Sequence, residues 1–302
     1  MRVAPALDAA ALDRDDSRPA YARSGRRMTE AQDDYAALAV GISRWLRFHM
    51  ERAGAARLVL GLSGGIDSAV VCALCTMAAG PSRVIAAILP IRSLPGDRRH
   101  AESVAKAFEV IPRSIDLAPA FGAFVAAMPE EGASGLEDGN VDAETQDSRR
   151  RLAVANVKPR LRMAALYYLA NRYDGLVVGT GNKTELSIGY FTKYGDGGVD
   201  LLPLGDLDKT AVRGLACTLG VPDPVIAKAP SAGLWEGQTD EAEIGLSYAD
   251  LDRALALRGA GRESEIDAAV GERLAALVAA SEHKRTPIPV FRRDEIEAAR
   301  LR

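Results

Sequence analysis

A chain of 302 residues accommodates one large domain or two small ones, and with 48% apolar and 26% charged residues it can bury a sizeable core. Lys and Arg number 38 against 41 Asp and Glu, a formal charge of −3. That balance excludes a domain coated in nucleic acid, though not a local basic site for a phosphorylated small molecule. The longest uncharged run, residues 68–82, is shorter than the about 20 apolar residues of a membrane span and is broken by Gly80-Pro81. No apolar signal-type core opens the chain, Asp8, Asp13, Asp15 and Asp16 argue against a transit peptide, and three cysteines make no disulfide framework. The expectation is a soluble, cytoplasmic protein without a membrane or nucleic-acid partner.

Residues 1–28 are rich in Ala, Arg and Asp without periodicity and read as a disordered extension, leaving 29–302 as a single domain. Thr29-Glu30-Ala31-Gln32 is a capping box, so Met28 is an alternative start, and the helix it opens would bury Leu38, Ile42, Trp45, Leu46 and His49 on one face. Strands at 58–62, 84–89 and 114–117 then alternate with helices at 68–78 and 97–108. Residues 129–148 read as a Gly- and acid-rich surface loop. Asn156 would cap a helix running to about Tyr173, with Pro159 in its first turn, ahead of a strand at 175–179. Residues 189–240 are Gly- and Pro-rich with little periodicity, a signature of functional or disordered segments, and the last 60 or so residues read as helices. The alternation predicts an α/β fold, a doubly wound parallel sheet with helices on both faces and a helical C-terminal part.

The most informative stretch is Gly61-Leu62-Ser63-Gly64-Gly65-Ile66-Asp67-Ser68. It leaves a buried strand and opens a helix, so its N–H groups and the helix dipole favour an anion, and its glycines let the backbone approach a phosphate. It is neither a Walker loop, having no Lys before Ser68, nor the Rossmann G-x-G-x-x-G. Ser63 and Ser68 would add hydroxyl donors, and Asp67 beside a phosphate cradle calls for a bridging cation such as Mg²⁺. Gly61-Leu62-Ser63-Gly64-Gly65 also satisfies the G-x-S-x-G elbow of α/β-hydrolases, with His283 downstream, but there the nucleophile follows several strands and here one helix precedes it. A tight glycine turn with no ligand is the plain alternative. Cys72 and Cys75 form C-x-x-C two turns inside an apolar helix, which fits core packing rather than redox work at a helix N-terminus.

The Ser-Gly-Gly-x-Asp-Ser loop resembles that of the N-type ATP pyrophosphatases, the adenine nucleotide α-hydrolase superfamily. The segments Asn156-Val157-Lys158-Pro159-Arg160-Leu161-Arg162-Met163, Gly179-Thr180-Gly181-Asn182-Lys183-Thr184-Glu185 and Gly189-Tyr190-Phe191-Thr192-Lys193-Tyr194-Gly195-Asp196-Gly197-Gly198 follow in order. Then come Asp200-Leu201-Leu202-Pro203-Leu204, Pro230-Ser231-Ala232-Gly233-Leu234-Trp235, Gln238-Thr239-Asp240-Glu241 and His283-Lys284. Across roughly residues 30–292 these resemble the NAD synthetase family, in its ammonia-dependent type because the nitrilase-like domain of glutamine-using members is not seen.

The resemblance implies ATP- and Mg²⁺-dependent amidation of deamido-NAD by ammonia through an acyl-adenylate, giving NAD, AMP and pyrophosphate. It assigns ATP contacts to the loop 61–68 (Gly61, Leu62, Ser63, Gly64, Gly65, Ile66, Asp67, Ser68) and to Thr180, Lys209 and Ser231. Of these, Asp67, Lys209 and Ser231 would be catalytic, and Asp67 and Glu185 would be the Mg²⁺ ligands. Deamido-NAD would meet Arg160, Lys193, Asp200, His283 and Lys284. The family further implies a homodimer with the dinucleotide at the subunit interface, to which the Trp45–Leu46 face would contribute, and a separate glutaminase is one source of ammonia. Taken without the motif, Glu185 reads as a helix-terminus acid, Lys209 and His283 as surface groups, and Arg149, Arg150, Arg151, Lys158 and Arg162 as a solvated basic face. Glycines at 195–198 and residues 231–238 fit lids that keep water from an acyl-adenylate. Leu152 and Ala153 stand near where some members stack an aromatic ring on the nicotinate. Another ATP pyrophosphatase with a different acceptor, and a nucleotide-sensing module without turnover, are the competing readings; two metal ligands speak against the second.

Overall fold

The computed structural model describes residues 30–128, 143–231 and 239–291, so the expected disorder of 1–28 lies outside the described residues. Four parallel strands form one sheet: β1 (Arg57–Gly61), β2 (Val84–Ile88), β3 (Arg113–Ser114) and β4 (Gly175–Val177), in spatial order β3-β2-β1-β4. β1 is central and sends Leu58 and Leu60 to one face and Val59 to the other, the period-2 alternation of a strand covered on both sides.

On the first face pack α1 (Glu30–Arg52), α2 (Ile66–Ala79), α3 (Pro95–Ala107) and α7 (Lys209–Leu219), around a core that includes Leu46, Met50, Leu74 and Leu215. α5 (Ala143–Arg172) covers the other face through Leu169 and Ala170, with α4 (Ala118–Ala126) beside it. A third cluster around Ile188, Ile244 and Leu251 joins α6 (Lys183–Ile188), α9 (Asp240–Ile244), α10 (Tyr248–Gly259) and α11 (Ala268–Ala280), beyond which lies the short α12 (Glu282–Arg285). The predicted doubly wound sheet and helical C-terminal part are therefore both present. No described helix is long and apolar enough to cross a membrane.

Several local expectations are corrected. α5 is continuous from Ala143, so residues 143–148 are helix rather than loop, and Asn156 and Pro159 lie inside it. The Asn156 side chain does not cap a helix; its Oδ1 accepts a hydrogen bond from Thr192 Oγ1 at 2.6 Å. β3 has only two residues, 113–114. The span 189–240 contains α7 and the short α8 (Asp223–Ile226). α7 is closed by an Asp208 N-cap and a left-handed Gly220 C-cap, and it buries Val212, Leu215, Ala216 and Leu219. On α1, Leu46 is fully buried within the chain, Leu38 and Ile42 pack partly against the core, and Trp45 turns away, 39% exposed. Cys72 and Cys75 are free and buried, and burial pushes the Cys72 thiol up to about 12, as an inert packing pair requires.

Candidate functional site

In an open parallel sheet, ligands bind beyond the carboxyl ends of the strands where the chain reverses its direction of winding. Here that point lies between β1 and β4, because the chain goes from β1 outward to β2 and β3 and returns to place β4 on the other side. The turn after β1 and the turn after β4 therefore face each other, and with the β2–α3 connection they line a cavity of about 840 Å³.

The first turn runs from Gly61 into α2. Gly64 has φ of +80°, and a Cβ there would lie 2.2 Å from the Asp97 carbonyl oxygen, so α3 packs directly against bare backbone. The turn is braced from within: Ser63 Oγ lies 3.0 Å from Ser68 Oγ and accepts from Gly65 N, while Ser68 Oγ donates to the Gly65 carbonyl. Ser68, expected to offer its hydroxyl to a ligand, is 2% exposed, lines the cavity and braces the loop through that hydroxyl.

The second turn opens α6 with a capping box. Asn182 Oδ1 accepts from Glu185 N at 3.0 Å, and Glu185 Oε2 accepts from Asn182 N at 3.3 Å. Asn182 Nδ2 also donates to Asp67 Oδ1 at 2.9 Å, which joins the two turns. Lys209, at the first position of α7, places its Nζ 2.7 Å from Asp67 Oδ2 and 3.1 Å from Glu185 Oε1, and the residue is 2% exposed. A cation at a helix N-terminus opposes the dipole, so this ammonium is held there by the two carboxylates. Asp252 on α10 fixes the arrangement from behind, accepting from Thr184 Oγ1 and from both N and Oγ1 of Thr210. Tyr248 places its hydroxyl 3.0 Å from Asp240 Oδ2 and 3.3 Å from Glu185 Oε1, with its ring centroid 4.8 Å from the Lys209 Nζ.

The electrostatics follow from this packing. Burial, reinforced by the neighbouring Asp67, raises Glu185 to about 7 against the partial relief given by Lys209. Burial alone would lower Lys209, but Asp67 and Glu185 outweigh it and hold the ammonium above its ordinary value. One ammonium does not neutralise two buried carboxylates, and the strained member is Glu185. The donor set fits a divalent cation: two carboxylates that keep 17% and 16% side-chain exposure on the cavity wall. Among the described residues no three His, Cys, Asp or Glu side chains form a metal cage, so a cation here would complete its shell with a ligand's phosphate oxygens and water.

Other predicted residues separate into two groups. Thr180, Ser231 and Lys284 line the cavity, and Lys284 Nζ donates to the carbonyls of Gly189 and Phe191 at 3.0 Å each. Arg160, Lys193, Asp200 and His283 do not line it. Arg160 is exposed and reaches the Lys193 carbonyl at 3.4 Å, and Lys193 Nζ donates to the His283 carbonyl. Asp200 closes the end of β4, accepting from Val177 N at 2.7 Å and from the Tyr167 hydroxyl at 3.0 Å. Residues 195–198 form cavity wall, tied down by the bond from Thr192 N to Asp196 Oδ1; of the second expected lid, 232–238 lie outside the described residues.

The basic run on α5 does not form one solvated face. Lys158 is buried and Arg162 is recessed in the cavity wall. Asn182, Tyr248, Arg162 and the Lys228–Asp97 pair (2.7 Å, across the cavity wall) carry site geometry that sequence reading did not assign. The N-x-x-E spacing of Asn182 and Glu185 was the one available signal.

A glycine turn at the switch point, with two carboxylates and a lysine meeting beside it, is the arrangement of a nucleotide-dependent enzyme of the ATP pyrophosphatase type. The sequence profile of the NAD synthase family matches residues 38–288, and the chain belongs to that family. It is 46% identical over 223 residues to the NH(3)-dependent NAD(+) synthetase of Carboxydothermus hydrogenoformans, covering 74% of this chain and 86% of that one. Among solved structures it resembles NMN synthetase from Francisella tularensis (TM-score 0.73, 34% identity, 88% of this chain and 99% of that one). It also resembles NAD+ synthetase from Burkholderia pseudomallei (TM-score 0.62, 32% identity, 85% and 91%).

Proposed function

We propose that this chain is an ammonia-dependent NAD synthetase, a C–N ligase that amidates deamido-NAD with consumption of ATP. The observation that carries the reading is the convergence of Asp67, Glu185 and Lys209 beside the Gly61–Ser68 turn in a member of this family. A nicotinate carboxylate oxygen attacks the α-phosphorus of ATP; the bond to the β-phosphate bridging oxygen breaks, and pyrophosphate leaves. Ammonia nitrogen then attacks the acyl carbon, the C–O bond to AMP breaks, and the nitrogen releases a proton as the amide forms.

Each step brings anions together, so this chain's task is positioning and charge neutralisation. N–H groups at the start of α2 face the phosphates, and Lys209, fixed by Asp252 and Tyr248 behind it, supplies a preorganised positive charge. Thr180 and Ser231 stand on the cavity wall as hydroxyl contacts for ATP. Asp67 and Glu185 would hold Mg²⁺, which when bound screens the triphosphate against the incoming carboxylate. Lys284 serves the deamido-NAD end of the cavity. Arg160, which faces out, together with Lys193, His283 and Asp200, is consistent with a dinucleotide bound across a homodimer interface, and a separate glutaminase remains compatible with the ammonia step.

The Francisella neighbour favours a second acceptor, the nicotinate mononucleotide, since it is named for NMN rather than NAD synthesis. One assay separates these readings: protein, ATP, Mg²⁺ and an ammonium salt with deamido-NAD or nicotinate mononucleotide, quantifying amidated product and AMP. Equal NAD and AMP with deamido-NAD is expected. Turnover of the mononucleotide alone would transfer the activity to the smaller acceptor, and neither product would leave nucleotide sensing.

A further inference from the structure

The inner face of α5 repeats at helical spacing: Ala155, Lys158, Arg162, Leu166 and Leu169 point toward the sheet side, and Arg160 points away from it. Arg162 is thus the basic residue of this helix that reaches the cavity walls near β2. Its Nε donates to the Leu89 carbonyl at 3.1 Å and its Nη2 to Ser93 Oγ at 3.5 Å, which aims the guanidinium plane at the end of β2. A guanidinium carries five N–H donors, and these two contacts leave the rest without a partner among the described residues. His100 Nδ1 is the one fully buried side-chain polar atom there that lacks a partner. The remaining N–H groups of Arg162 therefore reach open space, and the space they border is the 840 Å³ cavity.

Two acids act on this charge: Asp196 in the glycine-rich wall and Asp97 at the start of α3. Asp97 also packs on Gly64 of the phosphate turn and pairs with Lys228. Arg162 thus stands between the turn assigned to ATP and the 195–198 wall on the dinucleotide side. Burial outweighs the help of Asp196 and Asp97 and holds the guanidinium below its ordinary value, and a planar fork in such a recess matches the oxygens of a phosphate.

We propose that Arg162 is an anion anchor of the cavity that receives a substrate phosphate through its unpaired N–H groups. The proposal rests on the synthetase reading for its ligands. The phosphate comes either from ATP or from the diphosphate of deamido-NAD, and titration calorimetry with MgATP alone and with deamido-NAD alone distinguishes them. For the wild-type chain, absence of binding to both ligands would overturn the synthetase reading itself. Given wild-type binding, Arg162→Gln, checked for folding by its melting temperature, is expected to lose affinity at least tenfold for one ligand while the other changes less than twofold. Affinities within twofold of wild type for both would overturn the proposal. So would equal losses for both with a lowered melting temperature, because the guanidinium would then serve only the Leu89–Ser93 segment. Where Arg162→Gln does not fold, Arg162→Lys decides: it keeps the charge without the fork, and a tenfold selective loss supports the anchor while unchanged affinities refute it.

Discussion

The two halves of the cavity are built differently. On the β1–β4 side the functional groups are buried or, for Asp67 and Glu185, nearly so, and mutually bonded: Asn182 to Asp67, Lys209 to both acids, Tyr248 to Glu185, and Asp252 behind them. On the opposite side, Arg160 and His283 are exposed and Lys193 is half-buried, and the side-chain bonds of Arg160 and Lys193 run to backbone carbonyls. One chain therefore preorganises the β1–β4 half by itself, whereas the groups on the opposite side are held through backbone carbonyls. Under the proposed function, the preorganised charge would carry the chemistry and the adaptable surface the recognition.

That contrast can be broken from its rigid side first. Asp67→Asn or Glu185→Gln should lower kcat about a thousandfold, the scale of losing a preorganised electrostatic contact; steady-state NAD formation measures it, and a loss below tenfold would remove the acid in question from the site. Lys209→Met leaves two buried carboxylates facing each other without their cation. Denaturant unfolding should then show a destabilisation of about 3–5 kcal/mol, as for breaking a buried pair. The same change made together with Asp67→Asn should cost less than the two separately, because the groups form one network.

A pH series sharpens the comparison. Burial and the neighbouring Asp67 raise Glu185 from its ordinary value of about 4.5 to about 7. Between those limits the folded state holds the extra proton, so its contribution to stability is full at low pH and is lost as pH rises toward 7. Melting temperatures of metal-free protein should decline across that window and flatten in Glu185→Gln; identical slopes would place the titration elsewhere. The smallest effect is expected at the partly buried Lys228–Asp97 pair. Lys228→Ala should cost at most about 1 kcal/mol of stability, and its influence, if the pair steadies the cavity wall, should appear in the KM for ATP rather than in melting.

Much of the rigid half was legible in sequence, and the reasons are local. A strand, a glycine turn and a helix occupy consecutive residues, so Gly61 to Ser68 announces both its geometry and its chemistry. Asn182 and Glu185 sit three apart at a helix start, where spacing alone encodes the capping box. Lys209 could be placed only through the resemblance, because its partners are 142 and 24 residues away. α5 shows the opposite failure. Pro159 and Asn156 both signal a helix start, yet the tertiary packing of Ala155, Leu166 and Leu169 keeps the helix continuous through them. The orientation of its basic run depended on that continuity: once the helix is unbroken, the inward residues are Lys158 and Arg162, and the motif arginine Arg160 faces out. α7 was obscured because its caps, Asp208 and Gly220, lie in a segment whose glycines and prolines suggest irregular chain.

The central claim is that Asp67, Glu185 and Lys209 act together on ATP to activate a carboxylate. Its most direct test is deamido-NAD-dependent exchange of labelled pyrophosphate into ATP, measured without ammonia. Wild-type protein should catalyse the exchange, with Asp67→Asn and Glu185→Gln reducing it to background while still folding. Exchange that persists in both variants, or that is absent from wild-type protein able to form NAD from ammonia, would contradict the claim.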